Sequence, residues 1–299
     1  MPIDPQPMRC VLFVPGNREE RMRKAVHFDV DGLIFDLEGA TPAAELPKAR
    51  QMVRGVLDEF GGRRPRIFVR VTSIAAGTTW EDLQAVVCEG LEGLLLPQVR
   101  DPNDVITLDH MLTAIEKERG LPEGNIIIKP LLETANAIRD AYNVASASPR
   151  VAYMGGGASR RGDVVRAIGY RWSPEGTETL FMRSKVLLDS RAAGVAYPLS
   201  GVWGIIQDLD GLRKFAEAQR SLGYTGLLSI HPTHIPIITE VFSPSREELL
   251  EWKGVIEAME EAWAKGLGAV TFNGALIDEA HWHTGRQVLE HARKLGIEV

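Results

Sequence analysis

The sequence predicts an α/β protein of the (β/α)8 TIM-barrel class with a C-terminal helical extension. Eight short apolar runs recur along the chain, segments of helical periodicity separate them, and several runs end on a charged residue. Short runs of β-branched and aliphatic residues are typical of buried parallel strands. Alternation of such strands with helices indicates βαβ units, and eight units favour closure into a barrel over an open sheet.

The predicted elements follow one another in regular order. Strands are expected at residues 10–15, 32–36, 66–71, 93–96, 126–131, 150–154, 194–198 and 226–230. Helices are expected between them at residues 19–28, 47–60, 80–88, 104–118, 136–146, 177–193 and 209–222.

Two further helices are predicted after the eighth strand, at residues 246–265 and 278–295, joined by the segment 266–274. Ser245 precedes the first of them as an N-cap, and Glu248 three residues later fits a capping box. These helices exceed what barrel closure requires. We therefore expect a barrel at residues 1–240 and an extension at residues 241–299 that packs on the barrel or on a neighbouring subunit.

Composition and motifs exclude several classes of protein. The net charge of −6 argues against a general nucleic-acid binder, which would carry a basic excess. No apolar run comes near the roughly 20 residues needed to cross a bilayer, and the N-terminus lacks a secretory pattern. P-loop, nucleophile-elbow and dinucleotide-binding motifs are absent from the sequence. The two cysteines give no disulfide framework, so we expect a cytoplasmic protein without nucleic-acid or membrane partners.

Charged residues stand where the predicted strands end. Asp36 and Glu38 follow the second strand, Arg70 the third and Glu133 the fifth, while Asp163 lies in a glycine-rich loop after the sixth. The carboxyl ends of barrel strands form the face that carries active sites. Two carboxylates from neighbouring strands suit Mg²⁺, which proteins usually hold through one or two carboxylates. The alternative is an ordinary polar edge without a metal.

Three other features have two readings each. Arg70 is either a clamp for a substrate carboxylate or a buried partner of Asp36 and Glu38, and both can hold at once. The glycine run at residues 155–157 either donates N–H groups to an oxyanion or forms a tight turn. His231 and His234 lack a third ligand at zinc spacing, so a structural or substrate-shaping role is favoured.

Taken together, the motifs resemble the HpcH/HpaI aldolase and citrate lyase β-subunit family, in its CoA-ester lyase branch. The matching stretches run in family order over nearly the whole chain, at residues 12–18, 35–38, 48–50, 68–70, 132–135, 191–194, 222–226, 230–232, 242–245 and 274–278.

The resemblance implies a barrel that assembles as trimers or hexamers and binds Mg²⁺, with Mn²⁺ as an alternative. It matches Glu133 and Asp163 to the metal ligands and Arg70 to the residue that binds the substrate and its enolate. Asp278 falls on an acid/base that reaches the site of a neighbouring subunit.

The same resemblance assigns the remaining site residues. Phe13, Arg18 and Lys24 fall where the family contacts the CoA moiety, although a charge run such as 18–24 is otherwise a solvated helix face. Asp36 and Glu38 fall on outer partners of the metal-bound waters and of Arg70.

The chain departs from the family pattern in three places. Extra residues separate strand six from Asp163, and without them Arg160 would occupy the ligand position. Gly39 replaces a family aspartate, which removes a carboxylate, and Gln98 replaces a lysine, which removes a cation.

The resemblance therefore implies a Mg²⁺-dependent carbon–carbon lyase. Its substrate would be a β-hydroxyacyl-CoA of malyl-, citramalyl- or citryl-CoA type, cleaved to an acyl-CoA and a 2-oxo acid. Two alternatives stay open at this point: a class II pyruvate-type aldolase that does not use CoA, and a non-catalytic acyl-CoA-binding paralogue.

Overall fold

The computed structural model describes residues 4–157 and 159–298. They form two compact units, the first ending at Glu240 and the second beginning at Val241. In the described part of the first unit, seven strands pair in parallel in the order β5-β4-β3-β2-β1-β7-β6. The strands are β1 (Cys10–Pro15), β2 (Gly32–Asp36), β3 (Arg66–Arg70), β4 (Gly93–Leu96), β5 (Ile127–Pro130), β6 (Leu199–Ser200) and β7 (Gly226–Ser229).

Helices connect these strands. They are α1 (Glu19–Ala25), α2 (Leu46–Phe60), α3 (Thr79–Val86), α4 (Pro102–Arg119), α5 (Ala135–Arg139), α6 (Ala141–Ser146), α7 (Asp163–Ile168), α8 (Leu180–Ala192), α9 (Leu209–Leu222) and α10 (Ile235–Phe242). Short 3₁₀ turns lie at Ala43–Glu45, Ile74–Ala76, Thr177–Thr179 and Pro232–His234. The predicted α/β class with a parallel sheet is confirmed.

One buried cluster shows how the sheet curves. Side chains from all seven strands meet in it, namely Val11, Ile34, Phe68, Leu95, Ile127, Leu199 and Leu228. Successive side chains of a strand point to opposite faces, so these residues mark one face of each strand. Because one face of every strand contributes to this cluster, the sheet curls around it.

The predicted sixth and seventh strands differ from the observed structure. Residues 150–154 make only isolated contacts with the sheet. Val151 forms a parallel bridge to Ile128, and Gly156, just beyond this segment, forms another to Leu132. The Leu199 N–H donates to the Met154 carbonyl at 3.1 Å. Gly155 approaches Leu199 so closely that a Cβ there would lie 1.8 Å from its carbonyl oxygen. The glycine run thus follows the sheet edge without a regular ladder.

The predicted strand at 194–198 is wrong, because that segment is the turn that ends α8. Gly194 has φ of +87° and the Val195 N–H donates to the Ser190 carbonyl, a helix-terminal pattern. Pro198 has no N–H for a ladder, so pairing begins at Leu199. The described residues therefore form a curled seven-stranded sheet where an eight-stranded barrel was predicted.

The second unit contains α11 (Arg246–Ala264), a hairpin of β8 (Ala269–Phe272) and β9 (Ala275–Asp278), and α12 (Glu279–Lys294). Both predicted helices are confirmed, and Ser245 caps α11 by accepting the Glu248 N–H at 3.1 Å. The hairpin was predicted only as a connection. Asn273 and Gly274 both have positive φ, the usual two-residue hairpin turn, so the Asn-Gly pair was its signal.

Over residues 4–157 and 159–298, no helix is long and apolar enough to cross a membrane.

Candidate active site

A cavity of about 510 Å³ opens at the carboxyl ends of the strands in the first unit. Six residues singled out from the sequence line it together: Phe13, Asp36, Glu38, Arg70, Glu133 and Asp163. Lys129, Ser200 and the glycines 155 and 157 also line it. The structure thus brings these six side chains together in one cavity.

Asp36 is the most fully engaged carboxylate of the cavity. It ends β2, whose five residues are all buried, and its two oxygens accept the N–H groups of Glu38 at 3.0 Å and Ala40 at 2.9 Å. The same oxygens accept two bonds from Arg70. Because Asp36 already accepts four hydrogen bonds, it holds other residues in place and has little capacity left for a ligand.

Arg70 is fixed on three sides. Its Nε and Nη2 donate to the two Asp36 oxygens, each at 2.7 Å, and its Nη1 lies 3.2 Å from Glu38. Its guanidinium carbon lies 5.0 Å from the centre of the Phe13 ring. Burial opposes the charge, but Asp36, Glu38 and Glu133 outweigh it and raise the pKa of Arg70. The ion-pair reading is therefore observed, and it orients a permanent cation in the cavity.

Glu133 is held by a residue whose role was not predicted. The Gln98 N–H donates to Glu133 Oε2 at 2.9 Å, and the Gln98 amide donates to Glu38 at 3.4 Å. Gln98 has φ of +50°, a left-handed conformation that is uncommon outside glycine. The sequence showed only that a cation was missing at this position.

The acidic side chains of the cavity repel one another. Burial raises the pKa of Glu133, and the charges of Asp163 and Glu38 raise it further, against the Gln98 N–H and Arg70. Burial likewise raises the pKa of Glu38, with Asp36 and Asp163 adding to the shift. Four carboxylates thus share the cavity with the cations Arg70, Lys129 and Arg161.

Asp163 reaches the cavity despite the inserted residues. It is the first residue of α7, after Gly162 at φ of +123°, and its carboxylate pairs with Arg166. Arg160 is exposed and lies 5.8 Å from the centre of the Trp172 ring, and the cavity lining drawn from the described residues does not include it. The structure thus agrees with the alignment that places Asp163, and not Arg160, at the site.

The donor set fits a hard divalent cation. Over the described ranges 4–157 and 159–298, no group of three or more His, Cys, Asp or Glu side chains is arranged as a metal site. Glu133 and Asp163 nevertheless line one cavity, where burial raises the pKa of Glu133 and the charge of Asp163 adds to the shift. Mg²⁺ commonly takes one or two carboxylates and fills its other positions with water and substrate oxygens.

Three predicted residues lie outside the lining drawn from the described residues. Arg18 and Lys24 are exposed at the start and end of α1. Asp278 belongs to the second unit, where it caps α12 by accepting the Ala280 N–H at 3.1 Å and contacts His281 Nδ1 at 2.8 Å. The His281 hydrogen bond lowers the pKa of Asp278.

The histidines after β7 make local contacts. His231 Nδ1 lies 2.8 Å from the Thr233 hydroxyl, and His234 Nε2 lies 3.2 Å from the Ile206 carbonyl. Burial lowers the pKa of His234, which keeps this ring neutral. These contacts agree with the structural role favoured from the sequence.

Gly39 leaves the space that the Arg70 fork occupies. A Cβ at this position would lie 2.5 Å from Arg70 Nη2. We expect Gly39→Ala to displace the guanidinium and cost about 1.5–3 kcal/mol of folding free energy, the value of a charged hydrogen bond. Thermal denaturation measures this loss. Gly55→Ala in α2 is the control, because its Cβ would meet nothing within 4 Å and should stabilise the helix. Equal stability of the two variants would contradict the prediction.

Comparison with known proteins agrees with this geometry. The family model described as HpcH/HpaI aldolase/citrate lyase matches residues 9–232. Citrate lyase subunit beta of Haemophilus influenzae is 32% identical over 285 residues, which cover 95% of this chain and 97% of that one. The (3S)-malyl-CoA thioesterase of Cereibacter sphaeroides is 31% identical over 290 residues, covering 97% and 96%.

A solved structure shows the same fold. Protein CitE from Mycobacterium tuberculosis, in complex with magnesium, acetoacetate and coenzyme A, has a TM-score of 0.74 at 26% identity and covers 96% of this chain and 98% of its own. The curled parallel sheet and its acidic strand-end cavity are those of a lyase. The chain belongs to the HpcH/HpaI aldolase/citrate lyase family, as the motif resemblance predicted.

Proposed function

We propose that the protein is a Mg²⁺-dependent carbon–carbon lyase that cleaves a β-hydroxyacyl-CoA of malyl-, citramalyl- or citryl-CoA type to an acyl-CoA and a 2-oxo acid. One observation carries the proposal: the cavity places an oriented arginine together with the carboxylates of Glu133 and Asp163. The magnesium and coenzyme A of the Mycobacterium tuberculosis structure support it.

Glu133 and Asp163 would hold the ion. The Gln98 N–H uses one direction of Glu133 Oε2 and leaves the other oxygen of that carboxylate without a described hydrogen bond. When bound, Mg²⁺ would lower the pKa of the substrate hydroxyl and polarise the carbonyl that forms as the bond breaks. Glu38 and Asp36 would act as outer partners, Glu38 for metal-bound waters and Asp36 for Arg70.

Arg70 would stabilise the enolate. Cleavage leaves negative charge on the thioester oxygen, and a donor that is already oriented stabilises such charge without reorganisation. The two hydrogen bonds to Asp36 supply this orientation, and the Phe13 ring restricts the movement of the guanidinium on one face. Phe13, Arg18 and Lys24 would contact the CoA moiety, Phe13 from within the cavity.

Asp278 would protonate the enolate carbon, delivered by a neighbouring subunit of a trimer or hexamer. Its pKa is lowered by His281, so at rest it is the base that the condensation direction requires. In the cleavage direction it must first take up a proton.

We further propose that the chain closes an eight-membered barrel through residues 150–156, which bridge to β5 and accept a hydrogen bond from β6. We also propose that the protein is cytoplasmic.

Shared sites make activity depend on assembly. Mixing inactive Asp278→Asn subunits with inactive Glu133→Gln subunits should restore part of the activity, because some mixed interfaces pair an intact cavity with an intact Asp278. Native mass spectrometry confirms subunit exchange before the assay. Mixed oligomers that form but remain inactive would show that Asp278 acts within its own chain or only caps α12.

The function is tested by identifying products. Purified protein is incubated with malyl-, citramalyl- and citryl-CoA, with Mg²⁺ or with EDTA, and both halves of each reaction are quantified. The proposal predicts equal amounts of acyl-CoA and 2-oxo acid, in the Mg²⁺ samples only. Free CoA and a hydroxy acid would instead indicate a thioesterase. Cleavage only of free hydroxy acids would indicate a pyruvate-type aldolase. Binding of the CoA esters without turnover would indicate a non-catalytic binder.

A further inference from the structure

Strand β5 carries a lysine on its interior face. Ile127 and Leu131, two residues to either side of Lys129, both belong to the buried cluster inside the curled sheet. Strand alternation therefore points Lys129 the same way. It is 2% exposed and lines the cavity together with Arg70 and Glu133.

Lys129 has no counter-ion among the residues that the structure describes. Over 4–157 and 159–298, no hydrogen bond and no carboxylate oxygen within 4.0 Å is found for its ammonium. Arg150, equally buried at 2%, is paired with both Asp109 and Glu116. Arg70 is likewise paired with Asp36 and Glu38. Lys129 is thus the buried cation of this cavity that its own chain leaves uncompensated.

Such a charge is costly unless something compensates it. Burial lowers the pKa of Lys129 to about 8, against the attraction of Glu133. A methionine or leucine would fill the same space in an otherwise apolar strand without this cost. An anion that enters the cavity and stays next to the ammonium would remove the cost only in the bound state.

We propose that the Lys129 ammonium binds a carboxylate of the acid half of the substrate, an assignment that rests on the function proposed above. The strand register supports it, because Leu95 pairs with Arg70 on one side and with Lys129 on the other. Two strand spacings place the two backbones about 10 Å apart, with both side chains directed into the space between them. The thioester oxygen lies at Arg70, so the charged end of the acyl chain extends towards Lys129.

The rival use of Lys129 is covalent. A neutral amine would add to the C2 carbonyl of a 2-oxo acid, and both of its hydrogens would leave with the carbonyl oxygen as water to give an imine. The surroundings favour the cation instead, since the charge of Glu133 attracts the ammonium and raises the pKa of Lys129 against the effect of burial. An ionic contact to the substrate is therefore the simpler role.

The test compares pyruvate with its neutral amide, pyruvamide, by calorimetric titration in the presence of Mg²⁺. Lys129→Met should weaken pyruvate binding about 10- to 100-fold, the range of a charged hydrogen bond, and change pyruvamide binding about twofold at most. Lys129→Gln is the second variant. The control is Lys214→Met in α9, an exposed lysine, which should bind both probes like wild type. Thermal stability of Lys129→Met should equal or exceed that of wild type.

Each outcome distinguishes the ionic contact from an alternative role of Lys129. Loss of pyruvate affinity with pyruvamide unchanged supports the ionic contact, because a merely structural role would weaken both probes. Wild-type binding that both Lys129 variants retain would overturn this inference alone. A reduced covalent adduct on Lys129, found by peptide mass after borohydride treatment of wild type with pyruvate, would overturn it in favour of the imine. A wild-type protein that binds neither pyruvate nor acetyl-CoA would overturn the proposed function as well.

Discussion

Glu133→Gln is expected to abolish Mg²⁺-dependent cleavage. The amide keeps the size of the side chain and still accepts the Gln98 N–H, but it removes one of two negative ligands. Metal-ion stabilisation is worth several kcal/mol in such reactions, so we expect kcat to fall on the order of 10³-fold. Steady-state kinetics over a range of Mg²⁺ concentrations measures this fall. The Mg²⁺ concentration needed for half-maximal activity should rise in parallel.

The substitution should not damage the fold. Burial and repulsion from Asp163 and Glu38 already destabilise the Glu133 carboxylate, so neutralising it should leave thermal stability equal or higher. Glu118→Gln in α4, an exposed residue, is the matched control and should match wild type in both measurements. A Glu133→Gln enzyme with an unchanged Mg²⁺ requirement would contradict the assignment of Glu133 as a ligand.

Arg70→Lys is expected to lower kcat on the order of 10²-fold or more, comparable to the loss of an oxyanion donor. Lysine keeps the charge but loses the planar fork, and so cannot donate two parallel bonds to Asp36 while it reaches the substrate. An interaction that forms in the transition state lowers kcat and kcat/KM by equal factors. Steady-state kinetics with the CoA ester that the product screen identifies measures both constants.

The control lies on the same strand. Arg66, at the opposite end of β3, also donates to a carboxylate, Glu92, at 2.7 and 2.8 Å, but it is remote from the cavity lining. Arg66→Lys should therefore leave kcat near the wild-type value. Equal kinetics for Arg66→Lys and Arg70→Lys would reassign Arg70 to a purely structural pair with Asp36.

The sequence was most informative where regular strands end. Asp36, Arg70 and Glu133 converge because β2, β3 and the segment after β5 are parallel and in register, a property that short apolar runs predict well. Asp163 also lines the cavity, as the first residue of α7 beyond the inserted residues. These residues lie in the cavity because local pattern and tertiary pairing agree.

The rest depended on contacts that are distant in the sequence. Residues 150–154 look like a strand, yet Gly155 fits so closely against Leu199 that only isolated bridges form. The positive φ of Gln98 and the hydrogen bond from its N–H to Glu133 have no signature in a single sequence. Lys129 was visible within an apolar run, but its lack of a described partner emerges only when the cavity is assembled.

A crystal of the protein soaked with Mn²⁺ tests the central claim most directly, because the anomalous signal of manganese locates the ion. The account predicts one peak in the cavity, bonded to oxygens of both Glu133 and Asp163 at roughly the 2.0–2.2 Å of oxygen ligands to such ions. It also predicts that the peak disappears in Glu133→Gln crystals. A fully occupied ion elsewhere, or a cavity that stays free of metal while the enzyme turns over, would contradict the account.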